Sequence, residues 1–268
     1  IQLGAVTAQG VSRLMGRTRM EERYLLTSGA SAGLAAAFNA PLAGVIFALE
    51  ELHRNFSIMV LLPSMAAAFT ATIISRAIFG RATIFDIPDL QLLPIGYYGI
   101  VILVALASGL AGVIFNWGLL NIGRFYSLPC FKRPVQKIAF ALICAGILGY
   151  FLPEVLGGGN DLINHLAKAP VSLQVLLIFL AGKLIFTLIS YGCGVPGGFF
   201  LPMLVIGALC GSICAQMLIM LGWIEPAYAT NIMVVAMAAL FASSVRAPIT
   251  GTVLIMEMTA SYQQLLSL

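Results

Sequence analysis

Charged side chains are scarce in this chain: Asp, Glu, Lys and Arg make up 9% of its 268 residues, against 60% hydrophobic ones. A soluble globular domain carries about 25% charged residues, so there is too little charge here to cover a water-facing surface. With a mean hydropathy of +1.02, that shortage excludes a soluble globule and implies a polytopic, all-α protein of the lipid bilayer. The net charge of +4 is too small and too scattered for a nucleic-acid surface, and it sits in short loops, where membrane orientation is decided. The only histidines, His53 and His165, fall in expected loops, where they should be solvated. Trp117 and Trp223, with Tyr97 and Tyr98, suit interfacial belts. The cysteines (Cys130, Cys144, Cys193, Cys210 and Cys214) show no paired spacing outside a helix, and Cys210 and Cys214 lie one turn apart on one apolar face. They read as packing residues, so no disulfide, metal site or cofactor is expected. No targeting signal precedes the apolar segment at Ile1, and residues 263–268 open another apolar stretch. Both ends are expected to be cut.

What the chain does contain is a near-repeat of itself. Residues 32–51 read AGLAAAFNAPLAGVIFALEE and residues 239–258 read ALFASSVRAPITGTVLIMEM. Superposed, they share Ala32/Ala239, Ala35/Ala242, the Ala40-Pro41/Ala247-Pro248 break, Gly44/Gly251 and Glu50/Glu257. Leu3-Gly4-Ala5 similarly answers Ile206-Gly207-Ala208. Matching apolar segments interrupted by Gly or Pro mark a transporter built from internal repeats, with its binding site where broken helices meet.

The pattern predicts helices over residues 1–14, 24–39, 41–51, 59–79, 94–127, 134–152, 171–191, 200–221, 229–243 and 248–259. About 20 apolar residues cross the hydrocarbon, so several of these are too short to span alone. Such half-crossing helices are allowed at membrane depth only where their ends are buried in protein or line a watery cavity. The connectors at His53-Arg54 and at Arg124, Lys132, Arg133 and Lys137 carry no acid, whereas the loop between them sets Arg81 against Asp86 and Asp89. Two spans separate the basic connectors, so both are expected on the cytoplasmic side. The segment from Arg13 to Arg23, with four Arg and two Glu, stays unplaced.

The chemistry concentrates in Gly192-Cys193-Gly194-Val195-Pro196-Gly197-Gly198-Phe199-Phe200-Leu201-Pro202. Small residues and proline stop one helix, and the next begins near Phe200. A helix N-terminus presents unpaired N–H groups and a partial positive charge. The backbone amides of Gly197, Gly198, Phe199 and Phe200 can therefore hold an anion with no Lys or Arg in the motif, weakly enough to release it.

This segment resembles the G-x-F-x-P anion filter of the CLC chloride channel and transporter family. Asn39-Ala40-Pro41-Leu42-Ala43-Gly44 running into Glu50-Glu51, Arg246-Ala247-Pro248-Ile249-Thr250-Gly251 with Glu257-Met258-Thr259, and Ile1-Gln2-Leu3-Gly4 are similar to further segments of that family, in the same order. The resemblance runs end to end. It implies one transmembrane domain over residues 1–268, with 1–79 ending a first repeat and 94–268 forming most of an inverted second, a bundle of short, tilted and broken helices. It also implies a homodimer in a bacterial inner membrane that exchanges chloride for protons. The family's gating glutamate (in G-R-E-G-P) and anion-binding serine (in G-S-G-I-P) would fall before Ile1 and its anion-binding tyrosine after Leu268, so none is assigned.

Glu51 separates the functional alternatives. An acid in a membrane helix is costly unless it meets water or serves a proton path. Glu50 is matched by Glu257, which suggests a shared architectural role, while Glu51 is matched by Met258. Consecutive residues point about 100° apart on a helix, so the unmatched acid is the candidate for function. By resemblance Glu51 corresponds to the inner proton-transfer glutamate of the exchangers, a position that is not acidic in the channels. A passive chloride channel and a fluoride/proton antiporter remain the alternatives. Lys183, inside an apolar span, is expected to be paired or to line a watery vestibule where it raises local anion concentration. Arg246 reads as a helix-end cap. Gly29-Ala30-Ser31-Ala32-Gly33 matches the G-x-S-x-G pattern of serine hydrolases, but no strand precedes it. Its small residues suit close helix packing instead.

Overall fold

Proline, glycine and a few capping side chains decide where each helix starts and stops. The computed structural model describes residues 1–80, 84–85, 87 and 90–261. Among them are eleven α-helices: α1 (Gln2–Leu14), α2 (Arg19–Phe38), α3 (Pro41–Phe47), α4 (Ile58–Phe79), α5 (Tyr98–Phe125), α6 (Pro134–Phe151), α7 (Asn160–Lys168), α8 (Leu173–Gly192), α9 (Phe200–Met220), α10 (Ala229–Val245) and α11 (Pro248–Thr259). No strand occurs among the described residues. Six helical segments are long and apolar enough to cross a membrane: Ile58–Phe79, Ile95–Phe125, Pro134–Phe151, Leu173–Gly192, Phe200–Met220 and Pro226–Val245. The chain is thus an all-α integral membrane protein, as its composition requires. Arg81, Asp86 and Asp89, on which the orientation argument drew, and residues 263–268 lie outside the described residues.

The helices gather into two units, one of α1–α4 with α11 and one of α5–α10, divided between Ser244 and Val245. In the first, α1 and α2 cross where Gly4 and Gly29 meet; a Cβ on either would collide with the other's carbonyl oxygen. Ser31, two residues on, is fully buried on the side of α2 that faces α4, where its hydroxyl donates to the Ser64 carbonyl at 3.4 Å. The G-x-S-x-G run is helix-packing material. In the second unit α9 and α10 carry the core, with Met203, Leu204, Val205, Ile206, Ile232 and Val234 fully buried. Gly207, the repeat partner of Gly4, has the backbone of Met237 2.8 Å from where a Cβ would sit.

The two Ala-Pro breaks adopt the same backbone. Asn39 and Arg246 both occupy the left-handed region, at φ 50° and 63°. The alanines that follow have φ/ψ of −125°/78° at Ala40 and −126°/76° at Ala247. Asn39 is held by the Arg76 guanidinium, which donates to its side-chain oxygen at 2.6 Å, whereas Arg246 is exposed.

Three boundaries differ from expectation. First, α2 starts at Arg19, because Thr18 forms a capping box with Glu21. Hydrogen bonds from the Thr18 amide and hydroxyl hold the Glu21 carboxyl below the usual carboxylate range. Second, the segment over 41–51 is α-helical only to Phe47 and widens into a π turn over Ala48–His53. Third, a helix, α7, occupies residues expected to be loop. Neither histidine is in a loop: His53 ends the π turn with its ring 5.5 Å from that of Tyr24, and His165 lies in the last turn of α7.

Gly29→Ala should lower stability by about 2–3 kcal/mol, since the added methyl forces two backbones apart. Gly10→Ala in α1, with open space around it, should be neutral or stabilising by up to about 1 kcal/mol. Thermal unfolding in detergent checks the pair.

Candidate functional site

The Gly-rich segment separates α8 from α9. Gly194 turns the chain in the left-handed region at φ 84°, Val195 to Gly198 are exposed, and a Cβ on Gly198 would meet nothing within 4 Å. Phe199 is the N-cap of α9 and its side chain makes no capping hydrogen bond. Its carbonyl accepts from the Met203 amide at 2.9 Å, which closes the first turn. Pro202, having no N–H, leaves the main-chain donors at this end to the residues before it. Aromatic packing holds the junction. The Phe199 ring stands edge-on to Tyr191 at 5.2 Å and lies 6.3 Å from Phe115, while Phe200 packs edge-on to Phe241 at 5.1 Å. The side chains of Phe199 and Phe200 are thus committed to packing, and what this end offers a ligand is main-chain dipole.

Lys183, in the middle of α8, does not line an open vestibule. It is 1% exposed, and its ammonium donates to the carbonyls of Val155 and Gly157 at 2.8 and 2.9 Å. The turn over 153–159 folds back on α8 and supplies oxygen acceptors where hydropathy alone suggests water. Of the two expectations for this lysine, pairing is the one realised. The same turn sits against α9, with Leu201 over Gly158 and Val205 over Gly159.

The acids of the repeat lie in the first unit. The Glu50 carboxylate accepts from the amides of Ile249 and Thr250, at 3.2 and 2.7 Å, and from the Thr250 hydroxyl at 2.8 Å. Glu257 accepts from the amides of Leu42 and Ala43 at 3.1 and 2.8 Å. Each carboxylate therefore closes the N-terminus of the helix that follows the other repeat's Ala-Pro break, Glu50 on α11 and Glu257 on α3. The matched glutamates do share a role, but the pairing in sequence gives no sign that each reaches across to the other's helix. Glu51, one residue on, takes no part in this exchange. Its side chain is 29% exposed, with the Arg54 guanidinium 3.7 Å away. Glu51 belongs to the first unit, and Gly197, Gly198, Phe199, Phe200 and Lys183 belong to the second.

Among the described residues no group of His, Cys, Asp and Glu is arranged to hold a metal ion.

Comparison with known proteins agrees with this architecture. A family model described as voltage gated chloride channel matches residues 1–268. The H(+)/Cl(-) exchange transporter ClcA of Vibrio cholerae serotype O1 (strain M66-2) is 34% identical over 278 residues, which cover 100% of this chain and 58% of ClcA. The chain therefore spans little more than half the length of that relative. Among solved structures, a slow cyanobacterial Cl-/H+ antiporter superposes with a TM-score of 0.88 at 29% identity, over 99% of this chain and 63% of the antiporter. A CLC-type fluoride/proton antiporter superposes with a TM-score of 0.80 at 24% identity, over 98% of this chain and 65% of that one, and attests the fold alone.

Glu257→Ala should strip the acceptor from two first-turn amides and destabilise the protein by about 2–3 kcal/mol. Glu257→Gln, which keeps one acceptor oxygen, should cost less than half as much. Melting temperatures of the two variants in one detergent test the ranking.

Proposed function

Since the chain belongs to the voltage gated chloride channel (CLC) family, we propose that it forms the membrane domain of a proton-coupled chloride antiporter, working as a homodimer in a bacterial inner membrane. Its two Ala-Pro segments would belong to two inverted repeats, the first ending within residues 1–79 and the second occupying most of 94–268. The observation that carries the reading is the start of α9. There a Gly-rich, exposed segment leads into a helix whose N-cap, Phe199, has no capping side chain and whose first-turn rings are held by packing. In this reading the backbone amides of Gly197, Gly198, Phe199 and Phe200 hold chloride with partial charges only, so that it binds and leaves.

The proton takes a separate route. Glu51 is half-buried on the π turn and free of the capping exchange that immobilises Glu50. It would take a proton from the cytoplasmic side and pass it inward, toward the gating glutamate that the family resemblance places before Ile1. Its acidity favours exchange over passive conduction, because a channel needs no proton acceptor there.

In the full-length protein reconstituted in liposomes, Glu51→Gln should abolish chloride-driven proton movement while chloride flux persists. Unchanged coupled proton flux sinks the assignment of Glu51. The anion site is tested separately by bromide-soaked crystals, where anomalous density should lie at the start of α9.

A further inference from the structure

The connection between α5 and α6 carries four cations within 14 residues, Arg124, Lys132, Arg133 and Lys137, and no acid occurs anywhere between Asp89 and Glu154. Arg124, Lys132 and Arg133 are exposed and Lys137 is half-exposed. Among the described residues none of the four forms an ion pair. The other basic stretch is different: Arg13 pairs with Glu22 at 3.1 Å and Arg17 with Glu21 at 3.6 Å, so its charge is partly met within the protein.

The connection is also held in shape. Rings of Phe125, Phe131 and Phe140 lie 5.3–5.8 Å apart, with Tyr126 5.1 Å from Phe131. Tyr126 is buried, and its hydroxyl donates to the Ile189 carbonyl at 2.8 Å, which ties the turn to α8. Each cation lies within three residues of a member of this aromatic cluster: Lys132 and Arg133 in the connection itself, Arg124 at the end of α5 and Lys137 in the first turn of α6. Leu128, Val135 and Ile138 are exposed beside them. A ligand that fits has a phosphate anion for the guanidinium and ammonium groups and an apolar portion for the flanking side chains.

We propose that the α5–α6 turn is a binding site for an acidic phospholipid, its phosphate held by Arg124, Lys132, Arg133 and Lys137 and its acyl chains lying along Leu128, Val135 and Ile138. Cations at a membrane surface are each attracted to anionic lipid by about 1 kcal/mol. A cluster of four should discriminate clearly between charged and zwitterionic headgroups.

The test uses the full-length protein in a nonionic detergent, titrated with phosphatidylglycerol or phosphatidylcholine and read by native mass spectrometry. Phosphatidylglycerol should bind at least about tenfold more tightly. The combined Arg124→Gln, Lys132→Gln, Arg133→Gln, Lys137→Gln variant should lose that preference, and an Arg13→Gln, Arg17→Gln variant should keep it. In about 1 M salt, where the Debye length falls to about 3 Å, the preference of the unaltered protein should shrink. Equal affinity for the two lipids overturns the proposal, as does a preference that survives in the fourfold variant. Soluble glycerol phosphate binding as tightly as phosphatidylglycerol would replace the lipid with a free phosphate anion and overturn it as well.

Discussion

The first-turn amides of a helix have no partner within it and must find one elsewhere. This chain has two helices that start at Ala-Pro breaks, and it meets the requirement at both with the same device. Glu50 closes α11 and Glu257 closes α3. Proline at the first helical position removes one amide from the problem, and the carboxylate takes the next two. A carboxylate at a helix N-terminus is favoured by the dipole as well as by hydrogen bonds, which is how an acid persists in a segment this apolar. Because the two caps are reciprocal, neither helix can lose its partner without disturbing the other, and α3 and α11 are fixed as a pair.

Much of this was legible before any coordinates. The Ala-Pro breaks and the Gly-rich junction before Phe200 follow from residue types whose backbone behaviour is nearly obligatory, and the long apolar segments of α4, α5, α6, α8 and α9 follow from their length and hydropathy. The glutamate pair at 50 and 257 was recognisable as structural because it recurs where the breaks recur, and Ala40 and Ala247 take the same φ and ψ for the same reason. The unrecognised features depend on contacts. α7 is short, polar on most of its surface and buries only Leu162 and Ile163; next to three consecutive glycines it reads as loop. The π turn over Ala48–His53 has the composition of an ordinary helix end. The surroundings of Lys183 were equally hidden, because the carbonyls of Val155 and Gly157 reach it from a turn whose return onto α8 no local pattern announces.

Lys183 and the caps follow one rule, that a charge in an apolar span is matched by fixed protein dipoles instead of by an opposite full charge. The ammonium meets two carbonyl oxygens; each carboxylate meets two amides. Glu51 departs from this pattern. Its only ion pair among the described residues is with the exposed Arg54 at 3.7 Å, a contact weakened by water and long side chains. Several donors fix Glu50 and Glu257 in place, and Glu51 has no such set of donors.

The same reasoning bears on the start of α9. Tethered carboxylates on α3 and α11 show what a helix N-terminus does with an anion that cannot leave: it forms a permanent joint. The proposed chloride site has the same main-chain chemistry, but Phe199 brings no acid, and the segment from Gly192 to Pro202 contains no charged residue of either sign. A lysine there would bring a full charge into a medium of low effective dielectric and turn a transient stop into a trap. An acid would fill the place itself, as Glu50 and Glu257 do on α11 and α3. An uncharged junction keeps the dipole attractive without supplying an anion of its own, so the absence of charge around Phe199 and Phe200 is as much a part of the proposed site as the amides.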